Sequence, residues 1–271
     1  MPELPEVETI KNCLLPEMVG RRFIGAVLLW PRLVRQPSPE EFCYRLAGQA
    51  IENVRRRGKY LIVDLSRGDK LVLHLKMTGV LLIQPSSALV EPRTRAVFHL
   101  DNDKDLRFCD QRKFGAVWLV RDEMTVVGKL GPEPLADDFT PEALEGILLR
   151  HSIPIKALLL DQNAIAGIGN MYADESLFAA GISPLRRAAD LSGDEARRLH
   201  HAIREVLKAA IGRGGASVDT YQKPDGEPGT AQFSFRVAHR RGERCHVCNC
   251  AIGRTVVRGR GTYFCPRCQG A

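Results

Sequence analysis

Apolar and polar positions divide the chain into two patterns. From about Arg22 to Val120 the apolar residues alternate or run over strand lengths. YLIVDL, a turn at SRGDK and LVLHL form one such pair, VFHLDNDKDLRF repeats the hairpin form, and AVWLV follows. Ahead of these strands, Val7, Ile10, Leu14 and Leu15 recur at helical spacing. Pro5 is expected to take the first helical position, Glu6 and Glu8 to lie near the positive end of the dipole, and Pro16 to stop the run. The first unit is therefore read as a helix followed by an antiparallel β domain, most simply a sandwich.

After GPEPLADDF, which reads as a linker, the grammar becomes helical. Thr140-Pro141-Glu142 starts one helix, and Pro154 can begin another that runs through KALLLDQ. A third opens near Asn170 and ends at Gly181. A capping box, Ser192-x-x-Glu195, precedes apolar positions Leu199, Ile203, Val206 and Ala210. The stretch GRGGASVDTYQKPDGEPGTAQ is too long for a simple connection, so it is either disordered or a functional loop. The expected class is a multidomain α+β chain with segments at residues 1–134, 135–230 and 231–271.

Composition changes this picture little. A chain of 271 residues, 44% hydrophobic and 26% charged, can bury two or three real cores. No apolar run approaches a membrane span or a signal sequence, so no membrane partner is expected and the default location is the cytoplasm. Charge placement is more informative. From Arg236 onward there are eight Lys/Arg against one acid, Glu243, which equals the net +7 of the whole chain. A polyanion is expected to bind there.

Five of the eight cysteines crowd into CHVCNC and CPRC. Cys245-x-x-Cys248 and Cys265-x-x-Cys268, sixteen residues apart, have the spacing of a structural zinc site, each pair chelating one side of a tetrahedron. AIGRTVVRGRGTYF between them has hairpin chemistry, and a segment so short would draw most of its folding energy from the metal. His246 and Cys250 lie nearby as spare ligands. Cys13, Cys43 and Cys109 are isolated and read as small buried hydrophobes.

MPELPEVET, RRGKYL, HLKMTG, DQRKFG, GIGNMYADE and the four-cysteine finger, in that order, resemble the bacterial formamidopyrimidine-DNA glycosylases. Leu4 separates the opening from the endonuclease VIII branch, which typically has glycine there. The resemblance implies a bifunctional base-excision repair enzyme with an N-terminal β-sandwich, a helix-two-turn-helix domain and a zinc finger. Its implied partner is duplex DNA carrying 8-oxoguanine or formamidopyrimidines, preferably opposite cytosine, bound by a monomer. The resemblance also implies that Pro2 is the nucleophile, once Met1 is trimmed. An α-amine titrates near about 7.7–8.0, so a useful fraction is neutral at cellular pH. Attack on the sugar C1′ displaces the base and leaves an iminium ion, from which β- and then δ-elimination can follow.

By the same resemblance Glu3 is the general acid and base, Glu6 a supporting carboxylate, and Lys59 the lysine at the lesion phosphate. Met77 is the wedge that fills the gap left by an extruded base, with Arg112 and Phe114 entering from the opposite side. Asn170 and Arg260 match phosphate clamps, and Lys156 and His74 match polar residues near the damaged strand. Gln111, Lys113 and Lys76 depart from the usual flanking residues without removing a catalytic group. The segment TAQFSFRVAHR after Gly229 departs further, leaving the base-recognition loop open, with Ser217 to Tyr221 as the candidate backbone donors.

Overall fold

The computed structural model describes residues 1–270, which fall into two compact units. The first comprises residues 1–129 and 213–230, the second residues 130–212 and 231–270. This division differs from the segments read off the sequence. The glycine-rich loop belongs by its contacts with the N-terminal strands and not with the helices that precede it.

In the first unit the chain runs α1 (Leu4–Met18), β1 (Phe23–Leu28), β2 (Val34–Gln36), α2 (Pro39–Leu46), β3 (Ile51–Arg57), β4 (Tyr60–Leu65), β5 (Lys70–His74), β6 (Gly79–Pro85), β7 (Thr94–Leu100), β8 (Lys104–Asp110), β9 (Ala116–Val120) and the short α3 (Met124–Val127). One sheet has the order β1-β7-β8-β6 and the other β2-β9-β5-β4-β3. The inner residues of both sheets, including Phe98, Phe108, Leu61 and Leu119, share one core with Ile10, Leu14 and Met18 of α1. The expected sandwich is present with one exception to antiparallel order, since β2 pairs with β9 in parallel.

Two local expectations differ. Leu4 opens α1 and Pro5 follows it, while Pro16 lies inside the helix, which continues to Met18. Burial of Met18 at 0% exposure shows why: packing of the last turn outweighs the hydrogen bond that proline removes. Helix α2 was hidden within a region of strand-like pattern, although Ser38 caps it by accepting the Glu41 amide and Pro39 sits in its first turn.

The second unit contains α4 (Pro141–Leu148), α5 (Ile155–Leu159), α6 (Asn170–Ala180), α7 (Gly193–Gly212), β10 (Gly253–Val257) and β11 (Arg260–Phe264). Gly181 ends α6 in the left-handed region at φ 69°. Ser192 and Glu195 form the reciprocal capping contacts before α7. The stretch read as a linker is docked: Phe139 is buried, its carbonyl lies 2.6 Å from His200 Nε2, and Arg204 donates to the carbonyls of Pro134 and Ala136. Among the described residues no helix is long and apolar enough to cross a membrane.

Candidate active site and metal centre

The head of α1 gathers the N-terminal group. Pro2 and Glu3 are buried, and Met1 makes the Pro2 nitrogen an amide. Glu6, fully buried, forms a capping box with Glu3 and accepts the Glu3 amide through Oε2 at 2.8 Å. Its Oε1 accepts the Ala216 amide, also at 2.8 Å. One carboxylate thus joins the α1 head to the glycine-rich loop. Gly215 permits this at φ +76°, because a Cβ there would stand 2.9 Å from Glu6 Cγ and 3.1 Å from the Tyr221 ring.

The loop is ordered by its own polar groups. Tyr221 donates to the Gly214 carbonyl at 3.0 Å, and Ser217 Oγ donates to the Tyr221 carbonyl at 2.8 Å while accepting the Gly229 amide. Burial, reinforced by the Glu6 charge, pushes the Tyr221 phenol far above its usual range, so it stays a neutral donor. Asp219, Thr220 and Gln222 line an open cavity of about 260 Å³ beside β6 and β8, together with Thr78, Arg93 and Asp110.

Lys59 is buried in the β3–β4 turn, directly after Gly58 at φ 56°. His74, at the end of β5, packs edge-on to Tyr60 with ring centroids 4.5 Å apart. Its Nδ1 accepts the Lys76 amide at 2.9 Å, so the ring must carry its proton on Nε2. Burial, with the charges of Lys76 and Lys59, lowers its pKa to about 3 and keeps it neutral. Arg55 pairs with Asp64 and Glu123, and Arg56 with Glu8. These arginines, close to Lys59 in the chain, are paired with carboxylates of the same unit.

Met77 is half-buried in the turn between β5 and β6. Arg112 and Phe114 project from the turn between β8 and β9, where the guanidinium lies 4.7 Å over a ring that is 48% exposed. An exposed phenylalanine held by an arginine is available for stacking.

In the second unit Asn170 opens α6 after Gly169 and donates to the Gly261 carbonyl at 3.0 Å. Arg260 is exposed at the hairpin tip, whose two-residue turn at Arg258 and Gly259 has φ 45° and 75°. Lys156 is different from its expected role as a DNA contact. It has no exposed surface, and its Nζ lies 2.7 Å from Asp174 while donating to the Gly261 carbonyl and Thr262 Oγ1, both at 2.9 Å. The other Asp174 oxygen accepts the Tyr263 amide at 3.0 Å. Lys156 therefore anchors the strand that begins with Arg260. Glu175 anchors the approach to the finger by accepting the amides of Arg236, Val237 and Ala238. Burial raises the carboxyl pKa of both acids, that of Asp174 to about 7 against the opposing Lys156 charge. Both acids close the motif GIGNMYADE, but nothing in the sequence showed that they hold the hairpin and the segment entering it.

The sulfurs of Cys245, Cys248, Cys265 and Cys268 lie within 4.8 Å of one another. The pairs Cys245–Cys268 and Cys248–Cys265 stand 3.8 and 3.3 Å apart. A tetrahedron with Zn–S bonds of about 2.3 Å has edges of about 3.8 Å, so this all-thiol set fits such an ion. His246 and Cys250 are outside the cluster; His246 Nδ1 faces Arg240, and the Cys250 carbonyl accepts the Cys245 amide. The four cysteines form a centre that could hold a metal ion.

Comparison with known proteins agrees with this geometry. Residues 1–117 match the formamidopyrimidine-DNA glycosylase N-terminal domain, and residues 130–222 match the formamidopyrimidine-DNA glycosylase H2TH domain. The chain belongs to the formamidopyrimidine-DNA glycosylase family. The formamidopyrimidine-DNA glycosylase of Chloroflexus aurantiacus is 47% identical over 272 residues, covering 99% of this chain and 98% of that protein. The crystal structure of the Lactococcus lactis Fpg with DNA containing Fapy-dG is 34% identical, with a TM-score of 0.92 over 99% of this chain and 100% of that one. The same enzyme with DNA containing an abasic site gives 35% identity and a TM-score of 0.93, over 99% and 100% of the two chains.

Proposed function

We propose that this chain excises oxidised purines from duplex DNA through a Schiff base formed by Pro2, and then cleaves the strand by β- and δ-elimination. The family fixes the class: a DNA glycosylase with AP-lyase activity that serves base-excision repair. The observation that carries the finer reading is the buried α1 head, where Pro2 and Glu3 are fixed beside a carboxylate that also holds the loop.

Removal of Met1 exposes a secondary amine at Pro2. Its lone pair attacks C1′ as the bond to the base breaks, the base leaving with the proton that the amine gives up; the nitrogen lone pair of the resulting aminal then expels O4′, and breaking the C1′–O4′ bond opens the sugar ring to the iminium ion. Glu3 protonates the ring oxygen and then shuttles the C2′ proton released in elimination. Lys59 holds the phosphate that departs, and Glu6 keeps the helix head and loop in register. The extruded base enters the cavity lined by Asp219 and Thr220, while Met77, Arg112 and Phe114 fill the gap it leaves. Arg112 hydrogen-bonds the orphaned cytosine, and Asn170 and Arg260 grip phosphates.

A zinc ion on the four cysteines would supply the crosslink that keeps the hairpin folded. The basic segment after Arg236 supplies sequence-independent attraction to the DNA. The enzyme is read as a monomer of the bacterial cytoplasm. Strand nicking assays on duplexes carrying 8-oxoguanine opposite cytosine or thymine glycol test the substrate class. Nicking is expected at 8-oxoguanine; preferential nicking at thymine glycol would reassign the enzyme to oxidised pyrimidines.

A further inference from the structure

Asp110 ends β8, is only 1% exposed and borders the cavity faced by Asp219 and Thr220, outside the helix-head cluster and the metal centre. Its main chain is rigidly held: it pairs with Gly79 across the sheet, its amide donates to the Arg93 carbonyl, and its carbonyl accepts Arg95 Nε at 2.7 Å. Its carboxylate is spent on two turns. Oδ1 accepts the Thr78 hydroxyl at 2.5 Å and the Arg112 amide at 3.1 Å, and Oδ2 accepts the Gly115 amide at 2.7 Å. The Thr78 hydroxyl closes the triangle by accepting the same Arg112 amide at 3.1 Å.

Each wedge residue is therefore attached at, or one position from, a group on this carboxylate. Met77 precedes Thr78, Arg112 contributes its own amide, and Phe114 precedes Gly115. Both turns are also confined sterically. A Cβ at position 79 would stand 2.4 Å from the Leu75 carbonyl, and one at position 115 would stand 2.6 Å from the Phe108 ring. A buried acceptor that binds two loops fixes their separation as well as their shapes, because moving either leaves a buried charge short of donors.

We propose that Asp110, with Thr78, is a positioning clasp that joins the two wedge turns, so that Met77 and the Arg112–Phe114 pair enter the duplex as one unit. This rests on the wedge reading given above. The test follows insertion with 2-aminopurine beside 8-oxoguanine opposite cytosine, whose fluorescence rises on unstacking, and measures single-turnover excision in parallel. Asp110→Asn and Thr78→Val are expected to slow unstacking and excision together by about tenfold or more, as loss of one buried charged hydrogen bond allows. The double variant should be no slower than Asp110→Asn alone, and Thr78→Ser should restore the rate. Cleavage at a preformed abasic site, where no base is extruded, should fall by a much smaller factor.

Wild-type unstacking rates in Thr78→Val overturn the clasp, even if Asp110→Asn does not fold. Equal losses in all three activities overturn it too, since they report general structural damage. Met77→Ala tests the wedge independently of the clasp. If it leaves unstacking unchanged, the wedge reading itself fails; if it slows unstacking while Asp110→Asn and Thr78→Val do not, only the clasp fails.

Discussion

The first unit buries a continuous core from α1, α2 and both sheets, whereas the core around the finger consists of Phe178, Val237, Cys245, Ile252 and Cys265. The sheets can therefore hold polar groups in place with apolar packing behind them. The finger has little such backing, and its hairpin is fastened by ionic and sulfur groups: Lys156 and Asp174 at one strand, Glu175 at the entering segment, four thiols at the end. Residues of similar polarity therefore serve different ends in the two regions. Glu6 and His74 set fine geometry in a unit that is already folded, while Lys156 and the cysteines hold the hairpin itself.

The largest effect is expected from metal removal. Chelation or Cys248→Ser should unfold the hairpin, since thiolate-bound zinc supplies on the order of 10 kcal/mol in small fingers. DNA affinity should collapse, while the near-ultraviolet dichroism of Trp30 and Trp118 in the first unit stays native. Loss of that signal as well would show that the first unit depends on the finger. A smaller effect is expected from Lys156→Met, which leaves Asp174 buried without its cation and should destabilise the second unit by about 3–5 kcal/mol. Calorimetry checks the stability, and salt-dependent DNA binding checks whether Arg260 is displaced with its strand. Unchanged stability would remove Lys156 from the anchoring role.

Legibility in the sequence followed the range of the interactions. The strands, the Asn170 helix, its glycine stop and the Ser192 capping box depend on near neighbours and were readable from spacing. Pro16 was misread because its tolerance depends on burial of Met18, which is a tertiary fact. The cysteine spacing carried the metal centre, and the motifs carried Pro2, Glu3, Lys59, Met77, Arg112 and Phe114 as candidates. Partners distant along the chain were not legible. Nothing local joins Glu6 to Ala216, or Lys156 to Thr262, and the same side chain type can face water or a buried acid.

The mildest prediction concerns His74. Its pKa of about 3 in the folded chain lies below the ordinary value of 6.5, so its contribution is fully present above about pH 6.5. As pH falls from there toward 3, the unfolded chain takes up a proton that the folded chain refuses, and stability declines by at most about 1.4 kcal/mol per pH unit. Urea unfolding of the wild type and His74→Gln between pH 7 and 4 should converge on acidification. Parallel curves would show that His74 is not held neutral.

The central claim is that the N-terminal proline becomes the nucleophile when Met1 is removed, at a helix head built to hold it. Borohydride trapping on a duplex with 8-oxoguanine opposite cytosine tests this directly, with fully processed protein beside protein that retains Met1. A covalent protein–DNA adduct is expected from the processed chain and none when Met1 is retained. No adduct from the processed chain, or equal adduct from both, would contradict it.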